Sequence, residues 1–298
     1  MSGTPPAETG VDSDLVRALL REQHNDLASL PIEPMDAGWD NFMFRLGDAH
    51  VVRMPRRLAA ASLVINEQEW LPRLAPKLPL SVPSPVRVGY PGHSYPWRWS
   101  ILPWLNGSPA NEMQPDANQA SKLAEFLRAL HQLAPVNAPL NGVRGCPLAD
   151  RAEGIVARMD QLKRTTHMIV PAIEAAWQQA LDAPIAVEAR WLHGDLHARN
   201  VLVDGGEISA IIDWGDITSG DVATDLASIW ALFDSAGART EALLAYGATE
   251  HETARARGWA VNIGTILLAT GLVDNPRHAE MGSNTLRRVA EDFSPVGL

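Results

Sequence analysis

Between residues 193 and 213 the chain runs His193-Gly194-Asp195-Leu196-His197-Ala198-Arg199-Asn200-Val201-Leu202-Val203 and then, past a turn, Ile211-Ile212-Asp213-Trp214. Two carboxylates and an amide are spaced there as phosphoryl transfer from a magnesium nucleotide requires. Asp195 and Asn200 lie five residues apart, and the apolar run at 201–203 places Asn200 where a loop enters a strand. Asp204-Gly205-Gly206 is a tight-turn signal and 208–212 is a second β-branched run, so the unit reads as a hairpin. That hairpin returns Asp213 to the side of Asn200. An amide and a carboxylate side by side are hard oxygen ligands suited to Mg²⁺, which keeps several waters and takes further ligands from phosphates. Asp195, a loop's length away, is free to accept a proton from an incoming hydroxyl.

A pattern H-x-D-x-x-x-x-N followed by a metal-directed Asp is the catalytic arrangement of protein kinases. Here Gly194 stands between His193 and Asp195 where those enzymes carry arginine. The fuller string, H-G-D-L-H-x-x-N, then I-D-W at 212–214 and G-D-V-A-T-D-L-A at 220–227, resembles the aminoglycoside phosphotransferase family of small-molecule kinases, which includes macrolide phosphotransferases. The resemblance implies that Asp195 is the catalytic base, that Asn200 and Asp213 hold magnesium, and that Asp221 and Asp225 brace the loop from a following helix. A D-x-x-x-x-N on its own reads first as a capped helix or turn, and the joined string is what points to chemistry. His193 and His197 read as loop-bracing donors, and Asp216 as a turn residue or a third acidic group near the metal.

The first part of the chain supplies what would hold a nucleotide. Asp12-Ser13-Asp14 offers a helix cap, and Leu15, Leu19 and Leu20 recur at helical spacing. Phe42, Phe44 and Leu46 alternate with Met43 and Arg45, Gly47-Asp48 makes a turn, and residues 50–54 return as a strand. Residues 36–41, with Gly38 among them, read as the loop laid over the phosphates, where backbone N–H groups meet anionic oxygens. The segment is not a G-x-G-x-x-G, and that reading leans on the resembled family, whose members often carry G-x-D/E-N here. Arg53 occupies the position of the kinase β3 lysine, and its guanidinium can grip the α- and β-phosphates bidentately. An R-x-P form at this strand end is common in the resembled family, and Arg56-Arg57 resembles its macrolide-modifying members. The plain alternative is a solvated basic patch. A helix expected at 59–74 turns Leu63, Trp70, Leu71 and Leu74 to one face with Glu67 among them. Glu67 is therefore the candidate partner of Arg53, with Glu69 the alternative.

Residues 79–88 are Pro-spaced and extended, since Pro excludes helix and steers its predecessor to β or polyproline geometry. Residues 99–102 read as the last strand of a first lobe and 103–108 as a hinge, where backbone groups can pair with the edge of a purine. Leu105 is the candidate contact, while the nearby tryptophans read as packing. Beyond the hinge, Leu123, Ala124, Phe126, Leu127 and Leu130 form a helical stripe that stops before Pro135, and His131 reads as a packed core histidine. Further helices are expected at 150–162, 170–181, 222–233, 240–246, 250–272 and 275–290.

Composition narrows the partners. The net charge of −10 argues against nucleic acid, which selects clustered cations, while an acidic surface attracts polycationic small molecules. A single cysteine, Cys146, allows no internal disulfide and suits a reducing cytosol. The first ten residues lack the apolar stretch of a secretory peptide, and the longest apolar passage, 261–273, is interrupted and short for a bilayer. These features point to a cytoplasmic protein with no membrane partner, and no protein partner is inferable.

The expected fold is α+β and two-lobed, protein-kinase-like. Residues 1–11 are a disordered tail and 12–102 a small N-terminal nucleotide-binding lobe of β-sheet with helices. Residues 103–108 are the hinge, and 109–298 a larger, mainly helical lobe that carries the catalytic and acceptor-binding parts. The resemblance implies an O-phosphotransferase that uses ATP or GTP with Mg²⁺ to phosphorylate a hydroxyl of a small molecule, an aminoglycoside-type antibiotic first. The alternatives are a macrolide or other hydroxylated metabolite as acceptor, or a catalytically silent nucleotide-binding scaffold.

Overall fold

The computed structural model describes residues 6–35, 40–185 and 188–293. Residues 36–39 of the expected phosphate loop, Gly38 among them, lie outside these residues. Helix α1 (Ser13–Gln23) starts where the Asp12 carboxylate accepts the Leu15 N–H at 2.8 Å, satisfying one of the donors a helix start leaves unpaired. Strands β1 (Ile32–Pro34), β2 (Asn41–Leu46) and β3 (His50–Pro55) follow. After them come helix α2 (Leu58–Leu74) and strands β4 (Arg87–Gly89) and β5 (Trp99–Pro103). They form an antiparallel sheet in the order β1-β2-β3-β5-β4.

Central strand β3 is covered on both faces, which is why its residues 51–55 are all buried. Val52 and Met54 join Val16, Leu19, Leu20, Trp99 and Ile101 in a core beneath α1, and Arg53 points to the other face, towards α2. Helix α2 buries Val64 rather than the expected Leu63, together with Glu67, Trp70, Leu71 and Leu74. Glu8, in the segment expected to be a disordered tail, donates its N–H to Arg56 O at 2.8 Å and accepts the Leu58 N–H at 2.9 Å, closing the start of α2.

The segment after β5 is tied to both halves. Trp104 N–H reaches Ala49 O at 2.8 Å, the ring of Trp104 lies under Arg45 at 3.6 Å, and Ser209 Oγ donates to Asn106 O at 3.0 Å. The two-residue β6 (Ser108–Pro109) then pairs with residues 202 and 203. Helices α3 (Ala120–Leu130), α4 (Ala152–Thr165) and α5 (Pro171–Asp182) precede β7 (Arg190–Leu192). The hairpin β8 (Val201–Asp204) and β9 (Glu207–Ile211) and then β10 (Thr218–Gly220) follow, β10 pairing with β7. The chain ends in α6 (Ala223–Leu226), α7 (Ser228–Leu232), α8 (Ala236–Tyr246), α9 (Glu250–Asp274) and α10 (Pro276–Phe293). The single helix expected at 222–233 is two, because the turn tightens where the Trp230 N–H bonds Ala227 O.

Helix α9 is the axis of the larger core. As a whole it is long and apolar enough to cross a bilayer, yet 72% of its most apolar stretch is buried by its neighbours. Trp259, Val261 and Leu268 are buried in that core, α9 packs on α5, α6 and α10, and glycines let the helices close. A Cβ on Gly282 of α10 would sit 2.4 Å from Leu268 N and 2.6 Å from Gly264 O, both backbone atoms that cannot step aside. Gly282→Ala should therefore lower stability by about 1–3 kcal/mol through overpacking, read as a lower urea midpoint at an unchanged slope.

Candidate active site

The loop between β7 and β8 is held from beneath by a buried carboxylate. Asp225 accepts the His193 N–H at 2.7 Å on Oδ2 and the Gly194 N–H at 2.9 Å on Oδ1, with His131 Nε2 at 3.3 Å. Gly194 sits at φ +86°, and a Cβ there would lie 2.4 Å from Asp216 O, so both conformation and space require glycine. One neutral tautomer of His193 satisfies two bonds: Nε2–H donates to Ile212 O at 2.9 Å, and Nδ1 accepts the Asp195 N–H at 3.3 Å. Asn200 Nδ2 donates to Asp195 O at 2.9 Å. The backbone of Asp195 is thus fixed at both its N–H and its C=O. Asp221 acts at one remove, accepting the Ala223 N–H at 3.1 Å and gripping Arg255 of α9 through contacts of 2.6 and 3.1 Å. His131 is the packed core histidine expected, bonded to Tyr246 Oη at 2.9 Å.

The hairpin brings Asn200 and Asp213 together as its spacing predicts. Gly205 and Gly206 both have positive φ, the backbone of a two-residue hairpin turn. Val201 faces Ile211, and the Ile212 N–H reaches Asn200 O at 2.8 Å. Asp213 then adopts a left-handed conformation, φ +61° and ψ +69°, uncommon for a residue with a Cβ. Arg53 meets it there: Nη2 donates to Asp213 Oδ1 at 2.7 Å, and Nη1 donates to Glu67. Asn41, with its amide oxygen turned to the guanidinium, accepts from Nε and Nη2 at 3.0 Å each. Burial opposes the charge of Arg53, but Glu67, Asp213 and Asp40 outweigh it. Burial also pushes the Glu67 carboxyl up to about 7 against the pull of Arg53, and its Oε1 has no partner. The sequence-predicted pair of Arg53 and Glu67 is formed, and Glu69 instead lies on the surface beside Arg73.

One contact was not foreseen. A turn at 141–144 carries Arg144, whose Nη2 donates to Asp195 Oδ1 at 2.7 Å, and Asn141, whose Nδ2 donates to Asp216 Oδ1 at 2.8 Å. His197 Nε2 lies 3.4 Å from Asp195 Oδ2. Burial alone would raise the Asp195 pKa, but Arg144 and then His197 hold it well below the usual carboxylate range. Asp216 goes the other way, raised by burial and by the charge of Asp195. Nothing in the spacing of Arg144 marks it; only an Asn-Gly turn signal at 141–142 was available.

Asn200 and Asp213 fit a magnesium site of the phosphate-dependent kind. Bonding of Asn200 Nδ2 to Asp195 O leaves its oxygen for a metal, and half-exposed Asp213 keeps one oxygen beyond its bond to Arg53. Among the described residues no three His, Cys, Asp or Glu side chains converge as a cage, so two protein oxygens would act with phosphate and water. Leu105 is half-buried in the connecting segment between β5 and β6.

The sequence profile of the phosphotransferase enzyme family APH matches residues 31–259. The chain belongs to this family. It is a small-molecule kinase, and the fold of solved phosphotransferases extends over nearly all of it. The GDP complex of wild-type aminoglycoside 2'-phosphotransferase-IIIa is 16% identical, with 95% of this chain and 100% of that one covered at a TM-score of 0.67. The apoenzyme of macrolide 2'-phosphotransferase MphH from Brachybacterium faecium is 21% identical, with 96% and 99% covered and a TM-score of 0.60. Macrolide 2'-phosphotransferase type I is 22% identical, with 94% and 99% covered and a TM-score of 0.58. No curated protein matches the sequence.

Two outcomes test this construction of the phosphotransferase site. Asp225→Ala strands two buried backbone N–H groups, at about 1–3 kcal/mol each, and should lower the urea midpoint while sharply reducing turnover. For Arg144→Met the sign follows from the depressed pKa. Ionised Asp195 contributes stability above its ordinary value of 3.8 and loses it as pH falls through the lower folded value. The stability gap between wild type and Arg144→Met, from urea unfolding at pH 3 to 8, should be widest near neutrality and shrink on acidification.

Proposed function

We propose that the protein transfers the γ-phosphoryl group of ATP or GTP, with Mg²⁺, to a hydroxyl of a small molecule. The observation that carries this reading is Asp195, fixed at both backbone polar groups and kept ionised, one loop away from the paired oxygens of Asn200 and Asp213. The nucleotide would lie between the sheet of residues 12–102 and the helical part at 109–298, its purine edge against the backbone near Leu105. Arg53 would hold the α- and β-phosphates while Glu67 and Asp213 fix its guanidinium. Gly38 would belong to the loop over the phosphates. Asn200 and Asp213 would hold the magnesium, which when bound neutralises charge on the β- and γ-phosphates.

Asp195 orients the acceptor hydroxyl in line with the γ-phosphorus. As the new P–O bond forms and the bond to the nucleoside diphosphate breaks, the hydroxyl proton passes to the carboxylate. A carboxylate with so low a pKa is a weak base, so it accepts that proton late, and positioning carries most of the catalysis. Retention of Asp195, Asn200 and Asp213 together speaks against a silent scaffold. The cytoplasm, with its ATP and its reducing thiol pool, is the compartment we propose.

An aminoglycoside-type antibiotic is the acceptor first expected, and the acidic chain supports it. Arg144 on the catalytic carboxylate favours the alternative, a macrolide or another hydroxylated metabolite, because a polycation would bring amines against a guanidinium. Transfer from ATP and from GTP to aminoglycosides, macrolides and simple alcohols tests the reading. Asp195→Ala should lose about 10²–10⁴-fold in kcat yet bind Mg-nucleotide as the wild type does; transfer persisting in that variant would sink the assigned base.

A further inference from the structure

The turn that carries Arg144 is fixed at its ends and lightly held at its tip. Ser219 N–H and Thr218 Oγ1 both reach Pro139 O at 3.0 Å, Asp221 N–H reaches Gly145 O at 3.0 Å, and Gly145 N–H reaches Thr224 Oγ1 at 3.2 Å. A Cβ on Gly145 would lie 2.7 Å from Leu192 Cδ1 and 3.2 Å from Ser219 O, so this end is packed tightly against β7 and β10. The tip differs. A Cβ on Gly142 would meet nothing within 4 Å, and Leu140 and Val143 are 84% and 41% exposed. Between the anchors, two side-chain bonds tie residues 140–144 to the other described residues: Asn141 Nδ2 to Asp216 Oδ1 at 2.8 Å, and Arg144 Nη2 to Asp195 Oδ1 at 2.7 Å. The Val143 and Arg144 N–H groups bond Asn141, within the turn itself.

Arg144 therefore closes one oxygen of the base. The other faces His197, whose Nδ1 accepts the Arg199 N–H at 3.3 Å, which leaves the proton on Nε2, 3.4 Å from Asp195 Oδ2. Each carboxylate oxygen has a donor beside it, and only 23% of the Asp195 side chain is exposed. A hydroxyl that is to give its proton to Asp195 must displace one of them. His197 is held in place, because it starts the short helical turn Ala198–Asn200 that delivers Asn200 to the hairpin. Arg144 is the one that can leave: lifting the tip breaks its own bond and that of Asn141, and no backbone pairing to the core.

We propose that residues 140–144 are a latch on the base, in which Arg144 withholds Asp195 from water and only an acceptor that lifts the turn gains the carboxylate. This rests on the kinase reading above. The reaction suppressed is hydrolysis of the bound nucleotide. In it a water oxygen bonds the γ-phosphorus, the bond to the bridging oxygen of the nucleoside diphosphate breaks, and a water proton passes to Asp195. Water is too small to reach Asp195 and the exposed side chains of Leu140 and Val143 together. A larger acceptor can cover them, and that contact offsets the two bonds lost as the tip lifts. Binding energy of the right acceptor then completes the site, which is induced fit.

The test measures phosphate released from Mg-ATP and Mg-GTP by the full chain with no acceptor added, after calorimetry with non-hydrolysable analogues has set the saturating concentration. Failure of both analogues to bind would overturn the kinase reading and this inference with it; with an analogue bound, the rates bear on the latch alone. Arg144→Met should release phosphate about tenfold or more faster than wild type, the loss of one charge-assisted bond over the base. Asn141→Ala should raise the rate in the same direction by a smaller factor. It cuts the other tether and leaves the guanidinium charge in the chain, so a gain there separates unlatching from a stronger base. Adding Asp195→Ala to Arg144→Met should abolish the gain. Misfolding cannot produce faster hydrolysis, and Asn141→Ala keeps the test open if Arg144→Met does not fold. Unchanged or slower release in both variants would overturn the latch. So would a gain confined to Arg144→Met, which would make Arg144 a modulator of base strength, or a gain that survives Asp195→Ala.

Discussion

The structure depends on the two backbone N–H groups that Asp225 holds. His193 and Gly194 leave β7 in a conformation that no strand or helix ladder can satisfy, and their donors point into the core. A carboxylate buried at the start of the helices beneath supplies both acceptors in one group. An amide could offer only one oxygen and an alanine none, and a buried unpaired donor is expensive. Everything functional follows from that anchorage: His193 reaches Ile212, Asp195 is pinned at both backbone ends, and Asn200 is delivered to the hairpin.

Charge links this loop to the rest of the molecule. Arg53 on the sheet reaches Glu67 on α2 and Asp213 on the hairpin, so a single guanidinium joins three elements far apart in sequence. Arg255 does the same between Asp221 and α9. A buried ion pair adds little net stability against an apolar pair, but losing one partner is costly. Such pairs therefore specify geometry more than they add stability. Glu67 shows the balance, its carboxyl pushed up by burial although an arginine is bonded to it.

Much of this was legible in the residues alone. The H-G-D-L-H-x-x-N string, the Gly-Gly turn and the β-branched runs on either side define a local unit in which spacing dictates adjacency, and Asn200 and Asp213 meet accordingly. Arg53 and Glu67 could be paired because one ends a strand and the other sits on the buried face of the following helix. Less was readable where long-range packing decides. The apolar passage in α9 carried no sign of whether protein or lipid would surround it, and the break between α6 and α7 has no Gly or Pro to announce it.

Arg144 marks the boundary most sharply. Residue type and short spacing, which act through local hydrogen bonds and hairpin register, determined the α+β kinase-like plan and the juxtaposition of Asn200 and Asp213 beside the loop of Asp195. Which cation faces that base depends on a turn 51 residues away in sequence and on backbone bonds to β10 and α6. No periodicity encodes that distance. Only the tertiary structure decided the electrostatic surroundings of Asp195, because a guanidinium acts on whatever packing brings within a few ångströms of it.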